Sequence, residues 1–338
     1  MINFQRIDPK DNQWDQRLHP FFDRTVFQTA PWVSFIAKTQ KAEPVVAALT
    51  SGKEALGYFI GLLTRKFNVR ILGSPFPGWT TSYMGFCLRP EVSRRDALKA
   101  LIPFAFRDLR CVHLEIMDRQ LTVEDADGLG FAHRILKGFE VDLTPSEEQI
   151  FANLSKSCRW TVRKAEKNGV TVEEAHDIHF ADDYYAQLQD VFAKQSLTPP
   201  YTIARVRELI NEVLPSGKLL LLRARDPDGN CIATGLFPAL NQTMFFWGGA
   251  SWREHQRLFP NEAIQWYAIK YWKQRGIKAY DMNGKGEYKR KYGGAEIVVP
   301  WFRLSKYSAL SHLRNLSHQL FRARQSILGK WYSFSSPH

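Results

Sequence analysis

Cysteine is scarce, and none of it is paired in sequence. Cys87, Cys111, Cys158 and Cys231 form no C-x-x-C pair, so they support neither a zinc site nor a disulfide framework. No metal is expected, and a reducing cytosol fits. Long apolar runs are missing too. None approaches the roughly 20 residues that span a bilayer. The start, Met1-Ile-Asn-Phe-Gln-Arg-Ile-Asp8, has no signal-peptide hydrophobic region, so a cytoplasmic location is expected. Acidic residues are absent from 297–338, where six cations fall.

What is present is a chain of 338 residues, which suggests two domains, each with its own core. Hydrophobic residues make up 44% and charged ones 24%, as in ordinary globular proteins. The net charge is +12 with a pI near 9.5. That favours an anionic partner: RNA, a phosphorylated substrate or an acidic membrane surface.

Along the first half, the pattern predicts a helix over 28–40 and a hairpin of strands 44–49 and 55–63 turning at Ser51-Gly52. The stretch 73–85 alternates Pro and Gly with aromatics and reads as an ordered loop. Its Trp79 and Tyr83 either line a cleft or pin the loop to the core. A helix over 93–110 and a strand over 112–116 follow. A strand over 139–143 then leads into Thr144-Pro-Ser-Glu147, which reads as a capping box with Thr144 as N-cap. The helix it opens is expected to run unbroken to Asn168. Its second half is basic. Arg159, Arg163 and Lys167 share one face beside Lys164, either as a solvated face or as an anion site.

In the second half, a strand (170–173), two helices (182–194, 203–214) and strands over 218–225, 231–239 and 243–247 repeat the element order of the first. Arg205 and Arg207 either bind an acceptor phosphate or lie on a solvated face. The stretch 261–294 organises the rest. A helix (262–275) with Asn261 as N-cap and Gly276 as stop carries an apolar face. A short strand (278–282) then ends in a loop with four glycines and four cations within Gly284–Gly294. Glycines let backbone approach a ligand and cations favour an anionic one, although an ordinary basic turn has the same composition.

From Gly235 to Gly294 the chain resembles the FemAB-like branch of the GNAT acyltransferase superfamily. The resemblance rests on Phe245-Phe-Trp-Gly-Gly-Ala250, on Pro260-Asn261 opening a helix with Gln265-Trp266, and on Gly276-Ile-Lys-Ala-Tyr-Asp281. It ends on Tyr288-Lys-Arg-Lys-Tyr-Gly-Gly294. Arg159 through Gly169 is similar to the family's basic stretch before its second domain. The likeness covers most of 25–305. It implies an α+β fold of two tandem GNAT-like domains with mixed, largely antiparallel sheets. They would span 1–143 and 144–305, with 144–168 as linking helix and 306–338 as a basic helical tail. It further implies transfer of an acyl or aminoacyl group to an amine of a cell-envelope sugar or peptide precursor. The donor would be acyl-CoA or aminoacyl-tRNA. Tyr288 and Lys289 match the pair placed at the transfer point, and the basic helix matches only as a stretch. The candidate substrate-binding residues are Tyr288, Arg159, Arg163, Lys164, Trp247, Asn261, Trp79, Tyr83 and Arg205, the last three named from their own local sequence and not from the resemblance.

One departure stands out. CoA-binding GNAT enzymes present a glycine-rich loop whose N–H groups cradle pyrophosphate at a helix start. Here the loop is Gln256-Arg-Leu-Phe-Pro-Asn-Glu-Ala263, with no glycine and with Pro260 lacking an N–H. No heptad run supplies a coiled-coil tRNA-binding arm.

Aminolysis needs stabilisation of an oxyanion and a proton acceptor. Lys289 suits the first. Asp281, at a strand end, either takes the proton or bonds nearby backbone N–H groups. No Ser-His-Asp or Cys-His pattern is apparent, so direct attack on the donor is expected. The basic, leucine-striped tail, 307–338, reads as a peripheral membrane contact, an RNA contact or a helix packed on the second domain. The contrasting expectation is a basic nucleic-acid-binding protein that keeps this fold without chemistry.

Overall fold

The computed structural model describes residues 2–8, 13–66, 69–194, 197–284 and 286–307, which divide into two compact units. One comprises 2–137 and 298–307, the other 138–297. Residues 308–338, where the basic helix is expected, lie outside the described residues. Among those described, no helix is long and apolar enough to cross a membrane.

The first unit contains β1 (Ile2–Ile7), α1 (Trp14–Leu18), α2 (Ala30–Gln40), β2 (Glu43–Ser51), β3 (Glu54–Lys66), β4 (Val69–Ser74), β5 (Gly85–Leu88), α3 (Arg94–Pro103) and β6 (Cys111–Met117). Its strands run in the order β1-β2-β3-β4-β6, with β5 on β3. The expected hairpin is β2–β3, and Gly52 at φ +61° supplies the positive φ that a tight hairpin turn needs. Alternate residues of these strands bury Phe4, Phe59 and Phe86, whose rings pack on one another; Phe4 also meets Phe104, and all lie in one core with Leu98 and Leu101 of α3. The expected helix over 93–110 stops being regular at Pro103. Proline has no N–H to continue the ladder, and Phe104–Asp108 widens into a π turn. The strands β1, β4 and β5 were not expected. In β5 the loop composition of Gly73–Gly85 masks the start of pairing.

Next comes β7 (Ala132–Asp142), within which the first unit gives way to the second. The second unit continues with α4 (Glu147–Asn153), α5 (Lys156–Lys167), β8 (Thr171–Glu174), α6 (Phe180–Ala193), α7 (Ile203–Val213), β9 (Leu219–Arg225), β10 (Cys231–Leu240), β11 (Thr243–Phe245), β12 (Gly248–Ser251), α8 (Pro260–Gln274) and β13 (Ala279–Asp281). The strand order is β7-β13-β11-β10-β9-β8, with β12 also on β10. Among the described residues of this unit, β11 and β13 pair in parallel. The last strand, β14 (Ala295–Ser305), returns to the first unit, where Trp301–Ser305 lie antiparallel to Met117–His113 of β6.

Three local expectations are corrected. The helix after β7 is capped by Ser146, whose hydroxyl accepts the Gln149 N–H, while Thr144 turns back onto the Asp142 carboxylate. That helix is also not continuous. It breaks at Leu154-Ser155, and Ser155 caps α5 through the Cys158 N–H. The expected strand over 243–247 is regular only over Thr243–Phe245, and Gly248-Gly249 begin a further strand, β12.

The β11–β12 junction is the feature that shapes the second unit. Met244 opposes Ala239, while Gly248 opposes Leu236, so the strand carries one extra residue there. Up to Phe245 it pairs with β13. Beyond the bulge it pairs only with β10 and leaves the end of β13. A side chain at 248 would put its first carbon 2.5 Å from the Tyr184 hydroxyl, so glycine is required at the bend.

Candidate functional site

The end of β13 and the bulge are tied together by backbone. The Phe246 N–H donates to the Asp281 carbonyl (2.9 Å), and the Asn283 side-chain amide donates to the Phe246 carbonyl (2.9 Å). The Asp281 carboxylate, fully buried, accepts the Asn283 N–H at 2.8 Å. Asn283 and Gly284 both take positive φ, +54° and +56°, and so reverse the chain in two residues. A 3-10 turn, Glu287–Tyr292, follows and carries Lys289 back towards this bend.

Lys289 is buried, at 7% exposure. Its Nζ donates to the Asn283 carbonyl and to the Gly284 carbonyl (3.5 Å). Burial lowers the lysine's pKa below its ordinary value, and the nearby Asp281 charge opposes that shift. Tyr288 beside it is exposed, its ring centroid 5.7 Å from Nζ. The structure thus brings Lys289, Asp281 and Tyr288 together. It gives Asp281 two visible tasks, holding the bend and facing the ammonium.

The turn is docked from the other side. Ser155 N–H donates to the Lys291 carbonyl (2.8 Å), Lys291 pairs with Glu262 of α8 (2.6 Å), and Tyr292 is buried. Gly293 sits at φ +79° with its backbone against Asn153, where an added carbon would lie 2.8 Å from the carbonyl oxygen.

On the far side of the bulge, Trp247 packs against Tyr201 (5.4 Å between centroids), whose hydroxyl is 2.7 Å from that of buried Tyr184. Arg205 lies over Tyr201 at 5.8 Å and is 7% exposed, not on a solvated face. Burial pushes its pKa down to about 10. Arg207 instead pairs with Asp182 at 2.7 Å. Asn261 is not the N-cap of α8. It sits inside the first turn, and its amide donates to the Ser251 hydroxyl (3.0 Å). The cap position is Phe259, at φ +61°.

The basic helix meets α4, α8 and β8 around a cleft of about 860 Å³. Arg159 and Arg163 line it; Lys164 does not. Arg159 donates to the Ala152 carbonyl (2.6 Å) at the end of α4, and Arg163 lies over the Phe151 ring at 5.1 Å. In the first unit, Trp79 packs on Phe76 (4.7 Å) and Tyr83 is buried, within a loop fastened by the Trp32 indole to Thr81 (3.0 Å). Asn283, Tyr184, Tyr201, Trp266 and Tyr267 also belong to these surroundings and were not singled out. Asn283-Gly284 and Pro199-Pro200-Tyr201 carry the turn signals that could have marked two of them.

The start of α8 does not fit a pyrophosphate in the usual GNAT manner. Phe259 stands where glycine would, Pro260 has no N–H to give, and the Glu262 carboxylate sits in the first turn paired with Lys291.

Residues 152–292 match the family model described as "Acetyltransferase (GNAT) domain". No curated protein matches the chain. Among solved structures, FemX is similar at a TM-score of 0.73 and 14% identity, over 89% of this chain and 96% of that one. L-PGS from Bacillus licheniformis is similar at 0.56 and 11%, over 93% and 97%. A tandem GNAT protein from the clavulanic acid biosynthesis pathway is similar at 0.54 and 10%, over 91% and 99%. These likenesses show a fold shared with GNAT proteins, tandem ones included.

Proposed function

We propose that this chain, whose residues 152–292 match the GNAT acetyltransferase domain, is an N-acyltransferase. It would move an acyl or aminoacyl group from an activated ester or thioester to an amino group of a cell-envelope sugar or peptide precursor. One observation carries the reading. A buried ammonium, Lys289, is held on two backbone carbonyls beside Asp281 where β11 and β13 part company.

Direct aminolysis asks for little more. The neutral acceptor amine attacks the donor carbonyl, a C–N bond forms, and negative charge gathers on the carbonyl oxygen. The C–O or C–S bond then breaks, and the proton lost by the amine ends on the leaving hydroxyl or thiol. A fixed ammonium in a water-poor setting stabilises the oxyanion and the leaving group. The Asp281 charge opposes, in part, the lowering of that lysine's pKa by burial. Tyr288, beside Lys289, is assigned to substrate contact, as are Trp247 on Tyr201, Asn261 on Ser251, and Arg205 over Tyr201. An envelope acceptor is supported by the order of motifs shared with the FemAB-like family.

The test uses purified full-length chain with acetyl-CoA or aminoacyl-tRNA as donor and an amino sugar or a lysine-bearing peptide as acceptor. Lys289→Met is expected to slow transfer about 10²- to 10³-fold. Undiminished transfer by that variant refutes the lysine's role, and no transfer from either donor by the wild type refutes the reading.

A further inference from the structure

We propose that the cleft between α4, α5 and α8 binds adenosine phosphate, the part that acyl-CoA and the 3′ end of an aminoacyl-tRNA have in common. The assignment rests on the transferase reading for its purpose, but its chemistry comes from the cleft. The volume, about 860 Å³, lies within the range of small-molecule sites. Its walls offer three kinds of group. Phe151 and Trp266, with ring centroids 5.0 Å apart, and Tyr267 supply aromatic surface for a planar ring, with the Arg163 guanidinium lying over Phe151 as part of the same wall. Arg159, Arg163 and Lys270 present cations to a phosphate. Glu147, Glu148 and Glu166 present carboxylates, which repel a phosphate but accept hydrogen bonds from an exocyclic amine.

Their order along the helices separates these roles. Arg159 and Arg163 lie in the first two turns of α5, and Glu166 lies about a turn further on. Glu147 and Glu148 open α4, about a turn before Phe151. Phosphate is therefore expected at the Arg159–Arg163 end and the amino edge of the base near a carboxylate. An aminopurine satisfies all three wall types at once. A purely apolar ligand leaves the charges idle, and a base with a carbonyl in place of the 6-amino group and no other amine, such as hypoxanthine, turns an acceptor towards the anion. Guanine also meets a carboxylate, through N1–H and its 2-amino group, so adenosine is chosen over guanosine by the donors of the transferase reading. The cleft also touches the transfer point through backbone. Ser155, which caps α5, donates its N–H to Lys291 of the turn that carries Lys289. Phosphate binding along α5 further accounts for the lack of a cradle at the start of α8.

The experiment is calorimetric titration of the full chain with AMP, in the absence of any acyl group. Inosine monophosphate, CoA and the RNA trinucleotide CCA are then tried as competitors. AMP is expected to bind saturably and more tightly than inosine monophosphate. Arg163→Ala and Lys270→Ala are expected to weaken it about tenfold each. Neither is a core residue, and melting curves confirm that the variants fold. Displacement by CoA or by the trinucleotide identifies which donor supplies the adenosine. Absence of AMP binding overturns the proposal, as does binding that both variants leave unchanged. Lys289→Met separates this outcome from the transferase reading. It should bind AMP normally, and if it also transfers normally the transferase mechanism fails while the cleft stands.

Discussion

The ammonium of Lys289 donates to the backbone carbonyl of Asn283, six residues earlier in the chain. The contact exists because Asn283 and Gly284 take consecutive positive φ, which few residues other than Asn and Gly do readily. A strand end, a two-residue reversal and one 3-10 turn therefore build a cation site with its own acceptors. The anion that balances it, Asp281, lies on the strand itself.

The first prediction concerns that lysine's titration. Its folded pKa lies below the unfolded value of 10.5, so between the two the unfolded chain holds more protons. The cost of the buried charge is present in full below the folded pKa. It is relieved as pH rises towards 10.5. Urea melts from about pH 8 to about pH 11 should show wild type gaining stability relative to Lys289→Met across the window. A constant difference would remove the burial argument.

A second prediction compares two glycines. Gly52 (φ +61°) has nothing within 4 Å of where a side chain would begin, whereas Gly293 (φ +79°) meets the Asn153 carbonyl at 2.8 Å. Gly52→Ala should cost about 1–2 kcal/mol from backbone strain alone. Gly293→Ala should cost more and should lower transfer, because the Lys289 turn must shift. Equal melting temperatures for the two variants would contradict this account.

Arg94 supplies a third. It bonds Asp118 at 2.9 Å and also Asp23, both nearly fully buried. Burial raises both carboxyl pKa values, and Arg94 opposes the rise. Arg94→Met should destabilise by roughly 3–5 kcal/mol at neutral pH. The loss should shrink as pH falls through the raised values, because protonation removes the stranded charge. Adding Asp23→Asn should recover part of the loss at pH 7. A variant equally unstable at every pH would point to packing alone.

A fourth lies at the acid end. Arg223 bonds Asp177 (2.8 Å) and Asp183 (2.8 Å), and its hydrogen bond holds the Asp177 pKa at about 2. The stabilisation is present above the unfolded value of 3.8 and is lost as pH falls towards 2. Asp177 is half exposed, so the effect should be modest and should weaken with salt. Asp177→Asn should flatten the acid limb of the stability profile, and an unchanged limb would assign it to other carboxylates.

Much of the second unit was legible because its signals are local. The helices α6, α7 and α8 were expected nearly where they lie, α8 from its apolar face, and the Tyr288-to-Gly294 motif marked the turn that holds Lys289. Less legible was anything that depends on a partner far along the chain. Thr144 satisfies every local rule for an N-cap, yet Asp142 captures its hydroxyl and Ser146 does the capping. Asn261 looks like a cap, but Phe259 takes the left-handed conformation one residue before Pro260, and Asn261 turns to Ser251. The break between α4 and α5 has no proline or glycine to announce it. It is fixed by Ser155 and by the Lys291 carbonyl over a hundred residues later. The cleft of α4, α5 and α8 was half visible: the cations of α5 stood out, while Phe151 of α4 and Trp266, Tyr267 and Lys270 of α8 join them only in the fold.

The return of β14 to the first unit has a consequence for how the molecule is made. Glu115 is fully buried in β6, and its carboxylate accepts the Trp301 indole N–H at 3.0 Å; His113, in the same strand, meets Ser305 at 2.6 Å. Those partners leave the ribosome some 190 residues after β6 does. Until then a carboxyl group destined for the interior has no indole to greet it, and one side of β6 stands open to any passing strand. The described residues of the second unit all lie between 138 and 297, with none of the first unit among them, and are free to pack during that interval. The half that emerges first is therefore the half completed last, and the nascent chain needs protection at its front rather than at its growing end.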